Sequence, residues 1–501
     1  MPRLDLLPRI LIALGFSDPE TLLEQARREA DLGETFFEFR LDYLEHPEQG
    51  VKLIRSFLQR YPECTVLATC RRRQNRGRFT GGLEEQFRIL EAAVKAGAVA
   101  VDLEIESAEA ATARLEALRQ RARLILSYHN FETTPALEPV LRRMARIPAD
   151  GYKLVTTPRK PSDNYRLLAL ARAHPRVPLI TLAMGEMGFP SRVLSVAFGG
   201  LFTYAAPSSA PGTAPGQVCA RRLRQLYRAE KLSKTARIYG VIAHPVEHSI
   251  SPAVHNRAFQ SRRISAVYLP FLVPPTQLRD FIGLAEKLPV AGFSVTIPHK
   301  QNVRRHMDAL EPLARRIGAV NTVWRKAGRW RGANTDVDGI RIPLERRLRL
   351  AGSTILLVGN GGAARSAAFA LTDAGAKVSI VGRRPDRVSV LAKACGAELL
   401  LRESLASRHF DALVHATPLG MFPRVEECFF PDRIPADVVF DMVYNPLETV
   451  LLRRARQEGK TVITGLEMFI EQAARQFEIW TGESAPRAAM EKAAQEALAG
   501  N

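Results

Sequence analysis

The sequence predicts an α/β protein in two halves, a (β/α)8 barrel followed by a two-lobed unit with a dinucleotide-binding lobe. Three observations support this prediction. The chain has 501 residues, which is more than one ordinary core requires. Eight short β-rich runs alternate with amphipathic stretches up to about residue 205, and a glycine-rich turn separates a strand from an Ala-rich helix near residue 360.

The first half carries the eight β-rich runs. They are RILIAL from Arg9, TFFEFRLD from Thr35, TVLATCR from Thr65, AVAVDLEI from Ala98, RLILSYH from Arg123, GYKLVTT from Gly151, PLITLAM from Pro178 and LFTYA from Leu201. Helix-period stretches such as 18–33 and 82–97 lie between them. Eight strand and helix units in about 200 residues predict a compact barrel, whose catalytic groups lie at the C-terminal ends of the strands.

Two neighbouring runs each carry an ionisable side chain near their ends, His129 and Lys153. Burial of an ammonium ion costs free energy and favours the neutral amine, which attacks ketones. We therefore predict that Lys153 forms a Schiff base and that His129 is its proton-transfer partner. The alternative for each residue alone is structural: a lysine that extends to solvent and a hydrogen-bonded core histidine.

The two halves are separated by a Pro/Gly-rich segment, 208–218, and a basic helix-like stretch, 219–234. The second half then opens a new αβ pattern at about residue 236. The predicted ranges are 1–222 for the barrel, 223–235 for a linker helix, 236–338 for a substrate-binding lobe completed by 465–501, and 339–464 for the nucleotide lobe.

The turn GNGGAA, residues 359–364, follows the run TILLV and precedes a helix. Glycines let the backbone approach a phosphate closely, and the helix offers free N–H groups to an anion. The next strand ends in VGRRPDR, residues 381–387, where arginines favour a 2′-phosphate and therefore NADP(H). An exposed basic turn is the alternative, and Asp386 would suit NAD if the loop turned it inward.

Composition excludes several classes of function. The formal net charge is +19, but the arginines are spread along the chain and no nucleic-acid motif accompanies them, so we predict a basic surface without a nucleic-acid partner. Five cysteines without a CxxC pair suggest a reducing cytoplasm, and no run approaches the roughly 18 apolar residues that span a membrane. No clear acid or cysteine completes a metal site with His244, His248 and His255, so no metal is predicted. The oligomeric state stays open.

The first half resembles the type I 3-dehydroquinate dehydratases over roughly residues 8–220. The matching pieces are EFRLD from Glu38, TCR from Thr69, SYHNF from Ser127 with Thr134 and Pro135, YKL from Tyr152, Ser191 with Arg192, and APGQ from Ala214. The resemblance implies that Lys153 forms an imine with the substrate ketone and that His129 is the general acid and base. It also implies a set that holds the substrate's hydroxyls and carboxylate: Glu38, Arg40, Arg71, Arg192, Thr213 and Gln217.

Two positions depart from that family's pattern. Asn75 stands where many members carry a glutamate that orients the histidine, and Thr213 stands where a serine is common. Threonine keeps the hydroxyl, whereas asparagine loses a charge. Our hypothesis is that the dehydratase is active and that another group orients His129.

The second half resembles the shikimate dehydrogenases over approximately residues 236–501. The matching pieces are SIS from Ser249, VTIPHK from Val295, AVNT from Ala319, NTD from Asn334, the glycine turn, ATPLGM from Ala416, DMVYNP from Asp441, GLEM from Gly465 and QAA from Gln472. The resemblance implies that Lys300 and Asp336 are the catalytic pair. The implied substrate ligands are Ser249, Ser251, Thr296, Asn321, Tyr444 and Gln472.

For NADP(H), the resemblance implies two sets of ligands. They are Gly359, Gly361, Gly362 and Ala363 at the pyrophosphate, and Arg383, Arg384 and Arg387 at the 2′-phosphate. Gly382 and Arg384 replace the Asn and Thr of the usual signature there.

Together the resemblances imply consecutive reactions: 3-dehydroquinate loses water to form 3-dehydroshikimate, and NADPH reduces that product to shikimate. A catabolic quinate dehydrogenase is one alternative, and the Ser249 and Ser251 pair argues weakly against it. A regulatory sensor without catalysis is another. The presence of both lysine-centred pairs argues against a sensor, because a binding module has no chemical need for them.

Overall fold

The structure, a computed structural model, describes residues 3–430 and 432–499. Residues 1, 2, 431, 500 and 501, which fall within the predicted domain ranges, lie outside the described residues. The chain forms two compact units. The first consists of Met1–Arg237 and Ser265–Pro289, and the second of Ile238–Ile264 and Val290–Asn501.

The first unit contains the predicted barrel, and each of the eight predicted runs corresponds to one strand. The strands are β1 (Ile10–Leu14), β2 (Phe36–Arg40), β3 (Thr65–Thr69), β4 (Ala100–Glu104), β5 (Arg123–Asn130), β6 (Gly151–Thr156), β7 (Leu179–Ala183) and β8 (Thr203–Ala205). They pair in parallel in the order β7-β6-β5-β4-β3-β2-β1-β8. The amide of Leu201 donates to the carbonyl of Leu179 over 2.8 Å, which links the two ends of the sheet.

Helices follow the strands around the barrel. They are α1 (Pro19–Asp31), α2 (Pro47–Arg60), α3 (Leu83–Lys95), α4 (Ile105–Ala110), α5 (Thr112–Arg119), α6 (Leu137–Met144), α7 (Asp163–Ala173) and α8 (Phe189–Leu194). Helix α1 starts where the Asp18 carboxylate accepts from the Thr21 amide at 2.8 Å. Helix α2 buries Phe57 against Phe37 of the sheet, with ring centroids 5.4 Å apart. Burial of one apolar face per helix positions the ring of helices.

The predicted linker helix over residues 223–235 is wrong. The segment forms a π-helical turn at Arg222–Leu226 and a 3-10 turn at Ala229–Lys231, with left-handed Arg228 (φ +52°) between them. Tyr227 is buried and packs on Phe189 of the barrel, with ring centroids 5.1 Å apart. The helix-like spacing of apolar residues therefore reflects packing onto the barrel rather than a separate helix.

Residues 237–499 contain further strands and helices. The strands are β9 (Arg237–Ala243), β10 (Ala266–Leu272), β11 (Val290–Val295), β12 (Ala309–Leu310), β13 (Thr322–Lys326), β14 (Arg329–Ala333), β15 (Thr354–Val358), β16 (Lys377–Val381), β17 (Glu398–Leu399), β18 (Phe410–His415), β19 (Ala436–Asp441) and β20 (Thr461–Ile463). The helices are α9 (Ser251–Ser261), α10 (Leu278–Lys287), α11 (Pro312–Ile317), α12 (Asp336–Glu345), α13 (Gly362–Asp373), α14 (Pro385–Cys395), α15 (Val450–Gln457), α16 (Gly465–Thr481) and α17 (Arg487–Ala499).

Strand β10 and helix α10 belong to the first unit by their contacts. On α10, the Asp280 carboxylate accepts from the amide and the hydroxyl of Ser162, at 2.8 and 2.6 Å, in the loop before α7. This grouping differs from the predicted ranges, which place residues 265–289 in the substrate-binding lobe. The exact domain ranges stay a prediction.

The second unit contains two sheets. Strands β9, β11, β13, β14 and β12 are neighbours in that order, and α16 packs beside them, where Trp480 donates to the carbonyl of Val323 at 3.0 Å. The other sheet is parallel, in the order β17-β16-β15-β18-β19-β20. The order reverses between β15 and β18, and a ligand of such a sheet binds outside the strand ends at that reversal.

None of the helices in the described part of the chain has the length and apolarity that crossing a bilayer requires.

Candidate active sites

The barrel pocket brings together all eight residues predicted for the first half. They are Glu38, Arg40, Arg71, His129, Lys153, Arg192, Thr213 and Gln217. Lys153 lies on β6 and His129 on the adjacent β5, where it pairs in register with Val155. The parallel strands thus place both reactive side chains inside one pocket, as barrel geometry predicts.

Lys153 is buried among charges of opposite sign. Its side chain is 5% exposed, its Nζ donates to Oδ2 of Asp102 at 2.8 Å, and it lies 3.8 Å from Oε1 of Glu38. Burial alone favours a neutral amine, whereas these two carboxylates compensate an ammonium charge. Asp102 therefore fixes the position of the Lys153 amine within the pocket.

Asp102 is the principal site residue that the sequence argument missed. Its carboxylate also accepts from the Ser127 hydroxyl at 2.7 Å and from Arg71 at 3.1 Å. Burial raises the pKa of Asp102, but the positive charges of Lys153 and Arg71 outweigh burial and hold that pKa well below its ordinary value. The sequence could have indicated Asp102, because the run AVAVDLEI places an acid within an apolar strand. In the same way, GYKLVTT places Lys153 within an apolar strand.

His129 is held by an aromatic ring rather than by a carboxylate. Its imidazole stacks on Phe131 with centroids 5.7 Å apart and an interplanar angle of 17°. Burial, followed by the positive charges of Arg71 and Lys153, lowers the pKa of His129 well below its ordinary value, so its neutral form can act as a base. The amide of Asn75 donates instead to Glu106 at 2.9 Å.

The three predicted arginines of this pocket differ in their partners. Arg40 donates two hydrogen bonds to Asp42, at 2.9 and 2.8 Å, and Arg71 pairs with Asp102. Arg192 is 2% exposed, donates to the carbonyl of Pro215 at 3.0 Å and has no carboxylate partner among the described residues. Burial lowers the pKa of Arg192 to about 10. Because its charge is uncompensated, Arg192 is the arginine best suited to bind a substrate carboxylate.

Thr213 and Gln217 belong to a loop that the barrel holds in place. The carbonyl oxygen of the Gln217 side chain accepts from the Ala214 amide at 3.2 Å, and the Thr213 hydroxyl lies 3.4 Å from that oxygen. Gly216 has φ +75°, and a Cβ there would lie 2.3 Å from the carbonyl oxygen of Gly185. This close approach requires glycine and anchors the loop at the pocket.

A second pocket lies in the second unit and contains all eight predicted catalytic and substrate-binding residues of that half. They are Ser249, Ser251, Thr296, Lys300, Asn321, Asp336, Tyr444 and Gln472. Ala363 of the glycine-rich turn also lines this pocket. One cavity therefore contains the predicted substrate-binding residues together with a residue that is predicted to bind the nucleotide.

Lys300 and Asp336 form the ion pair of this pocket. The Lys300 ammonium donates to Oδ2 of Asp336 at 2.7 Å, and the Asn321 amide donates to Oδ1 at 2.8 Å. The Lys300 side chain is 24% exposed, whereas that of Asp336 is 7% exposed. Asn321 therefore orients the carboxylate, and the carboxylate holds the ammonium at the edge of the cavity.

Gln476 lines this pocket and was not predicted. It is 2% exposed, its side-chain oxygen accepts from the Ser294 hydroxyl at 2.8 Å, and its amide donates to the carbonyl of Asn321 at 3.3 Å. Gln472 and Gln476 are four residues apart on α16 and share one helix face. The four-residue spacing of Gln472 and Gln476 is the feature of the sequence that could have predicted a place for Gln476 in the pocket.

The residues around the glycine-rich turn fit a dinucleotide. Gly359 has φ +123°, and a Cβ there would lie 2.8 Å from the carbonyl oxygen of Ala416, whereas a Cβ at Gly361 or Gly362 would meet open space. Helix α13 begins at Gly362 and leaves its first amides without helical partners. Three exposed arginines follow β16: Arg383, Arg384 and Arg387. The turn and these arginines suit a pyrophosphate and a 2′-phosphate.

The fold and the two pockets define a two-site enzyme, in which each site is built around a lysine and carboxylate pair. Family models match three parts of the chain: type I 3-dehydroquinase over residues 10–234, the shikimate dehydrogenase substrate binding domain over 241–323, and the shikimate 5′-dehydrogenase C-terminal domain over 465–495.

Similar proteins cover both halves. A bifunctional 3-dehydroquinate dehydratase/shikimate dehydrogenase of Arabidopsis thaliana, named as chloroplastic, is 34% identical over 96% of this chain and 83% of its own length. The shikimate biosynthesis protein AroDE of Chlamydia pneumoniae is 33% identical over 76% of this chain and 78% of its own length. A shikimate dehydrogenase (NADP(+)) of Symbiobacterium thermophilum is 41% identical over 53% of this chain and 95% of its own length. The chain belongs to the family of bifunctional 3-dehydroquinate dehydratase/shikimate dehydrogenases.

Proposed function

We propose that the barrel pocket dehydrates 3-dehydroquinate to 3-dehydroshikimate and that the second pocket reduces this product to shikimate with NADPH. The observation that carries the proposal is the assembly of every predicted catalytic and substrate-binding residue into two pockets, one in each unit. Family membership supports the same pair of activities and their order along the chain.

In the barrel, Lys153 is the nucleophile. Its amine adds to the substrate ketone, and loss of water gives an imine that can accept an electron pair from the adjacent carbon. His129 removes a proton from that carbon and returns it to the leaving hydroxyl, which departs as water. Hydrolysis of the imine then frees the product and Lys153. Arg192 binds the substrate carboxylate throughout.

In the second pocket, Lys300 is the proton donor. NADPH supplies a hydride to the ketone carbon when bound, and Lys300 delivers a proton to the oxygen that becomes the alcohol. Asp336 holds the Lys300 side chain in place, with its Oδ2 2.7 Å from Nζ. The glycine-rich turn and the three arginines after β16 hold the cofactor, and the remaining polar side chains of the pocket hold the substrate hydroxyls and carboxylate.

The other expectations about partners and location stay predictions. The substrates are small anionic molecules, and no nucleic-acid partner is expected. All five cysteines are free thiols in the structure, as a reducing cytoplasm would keep them.

The test is a coupled assay. Purified protein receives 3-dehydroquinate and NADPH, and the near-ultraviolet absorbance of NADPH is followed beside Lys153→Ala and Lys300→Ala variants. We expect wild type to consume NADPH. The Lys153→Ala variant should consume NADPH only when 3-dehydroshikimate is supplied. The Lys300→Ala variant should consume no NADPH with either substrate. No NADPH loss in wild type from either substrate would overturn the reductase assignment.

A further inference from the structure

A buried tyrosine of the barrel pocket is not used by the reaction as described above. Tyr204 on β8 lines the pocket and is 3% exposed. Its hydroxyl has no hydrogen-bond partner among the described residues. Most buried polar groups in native proteins are hydrogen-bonded, because an unpaired one costs stability. The Tyr204 hydroxyl is therefore an unsatisfied donor on a residue that lines this pocket.

The ring of Tyr204 lies next to the reactive amine. Nζ of Lys153 is 4.0 Å from the centre of the ring, close enough for a cation–π contact. The ring also packs 5.8 Å from Phe202, and Tyr204 pairs in register with Leu11 of β1. The phenol is therefore fixed by the barrel wall beside the atom that attacks the substrate.

The hydroxyl of Tyr204 is suited to donate a hydrogen bond rather than to accept a proton. Burial, followed by the negative charges of Glu38 and Asp102, raises the pKa of Tyr204 well above its ordinary value. The phenol consequently keeps its proton across the working range of pH. An oxygen atom of the substrate is the matching acceptor.

We propose that the Tyr204 hydroxyl donates a hydrogen bond to the ketone oxygen of the substrate while Lys153 attacks the carbonyl carbon. This inference rests on the proposed dehydratase function. As the carbon–nitrogen bond forms, the π electron pair of the carbonyl moves to oxygen, and the proton released by nitrogen neutralises it. The Tyr204 hydrogen bond stabilises that developing charge, and Tyr204 keeps its own proton.

Two tyrosine-to-phenylalanine variants with opposite expected outcomes test this role. Tyr152 on β6 is also buried, but its hydroxyl donates to the carbonyl of Ile147 at 3.0 Å. Tyr204→Phe should lower dehydratase kcat about tenfold with little change in KM and no loss of melting temperature, because it removes an unpaired hydroxyl. Tyr152→Phe should lower the melting temperature and leave dehydratase kcat and KM unchanged. Reductase activity of the same molecules should match wild type in both.

A wild-type kcat in Tyr204→Phe would overturn the inference, and so would a fall in kcat that comes with a matching fall in melting temperature. Absence of dehydratase turnover in wild type would overturn the proposed function instead, so the two failures are distinguishable. Tyr204→Leu additionally removes the ring, and we expect it to reduce kcat beyond the loss in Tyr204→Phe. Equal losses of kcat in Tyr204→Phe and Tyr204→Leu would show that the ring makes no contribution of its own to kcat.

Discussion

The two catalytic lysines lie in different surroundings. Lys153 is 5% exposed, between the carboxylates of Asp102 and Glu38 and over the Tyr204 ring. Lys300 is 24% exposed and, among the described residues, pairs with the carboxylate of Asp336. A nucleophile must lose a proton and form a bond, so it needs nearby acceptors and exclusion of water. A proton donor needs only to stay charged and to face the substrate.

The number of charged partners therefore separates the two roles better than the presence of a lysine does. Both lysines occur at or just after a strand in the sequence, and both pair with an aspartate. Only the barrel lysine is surrounded by groups that compensate its charge on several sides.

Neutralisation of either aspartate should change the protein most. Asp102→Asn leaves a buried ammonium with one carboxylate, and we expect it to cost about 3–5 kcal/mol of unfolding free energy and most dehydratase activity. Asp336→Asn should cost roughly 1 kcal/mol or less, because solvent reaches Lys300, while reductase kcat falls about a hundredfold or more. Chemical denaturation and the two separate assays measure these effects.

Asp150→Asn is the matched control, since its partner Arg123 is about a third exposed, and it should change neither activity. Equal destabilisation by Asp102→Asn and Asp336→Asn would contradict the comparison.

The next effect concerns the cofactor, which only the second site uses. The double variant Arg383→Ser with Arg387→Ser should raise KM for NADPH roughly tenfold or more, because charged hydrogen bonds to the 2′-phosphate are lost. KM for NADH should stay the same, since NADH lacks that phosphate. Arg456→Ser, which pairs with Glu448 in the same lobe, serves as the control. Parallel changes in KM for both cofactors would argue against a 2′-phosphate site.

A third test uses the pH dependence of the barrel reaction. His129 must be neutral to act as a base, and its lowered pKa means that protonation occurs only at lower pH. The acidic limb of dehydratase kcat/KM should therefore lie well below about pH 6.5, the ordinary histidine value. Removal of a neighbouring positive charge in Arg71→Ala should move that limb upward. If the acidic limb of wild-type kcat/KM lies at the ordinary histidine pKa, the neighbouring positive charges do not act on His129.

The smallest effect is expected at Asn75. Because its amide contacts Glu106, Asn75→Ala should leave dehydratase kcat/KM within about twofold of wild type. Asn75→Glu should leave the pH profile unchanged, whereas Phe131→Leu should lower kcat by removing the ring that stacks on His129. An upward shift of the acidic limb in Asn75→Glu would mean that this position does reach the histidine.

Much of the fold could be predicted from sequence because parallel strands are buried on both faces and form continuous apolar runs. The linker shows the limit of such patterns. Its spacing of apolar residues fits a helix, but Tyr227 packs on Phe189 and Arg228 adopts a left-handed conformation, so tertiary contacts override the local preference.

The sites show a similar limit. Motifs located the lysines, but Asp102 is 51 residues from Lys153 in the chain and reaches it only because the barrel curls β4 and β6 toward the same interior. The orphaned hydroxyl of Tyr204 is likewise a property of packing, since no local pattern shows whether a buried hydroxyl finds a partner.

Trapping the imine distinguishes the role of Lys153 from that of Lys300. The protein is mixed with 3-dehydroquinate and sodium borohydride, which reduces an imine to a stable amine, and its peptides are then weighed by mass spectrometry. We expect a covalent adduct on the peptide that contains Lys153 and none on the peptide that contains Lys300. Lys153→Ala should give no adduct while keeping its reductase activity. An adduct on Lys300, or none on Lys153 in a protein that dehydrates its substrate, would contradict the division of roles between the two lysines.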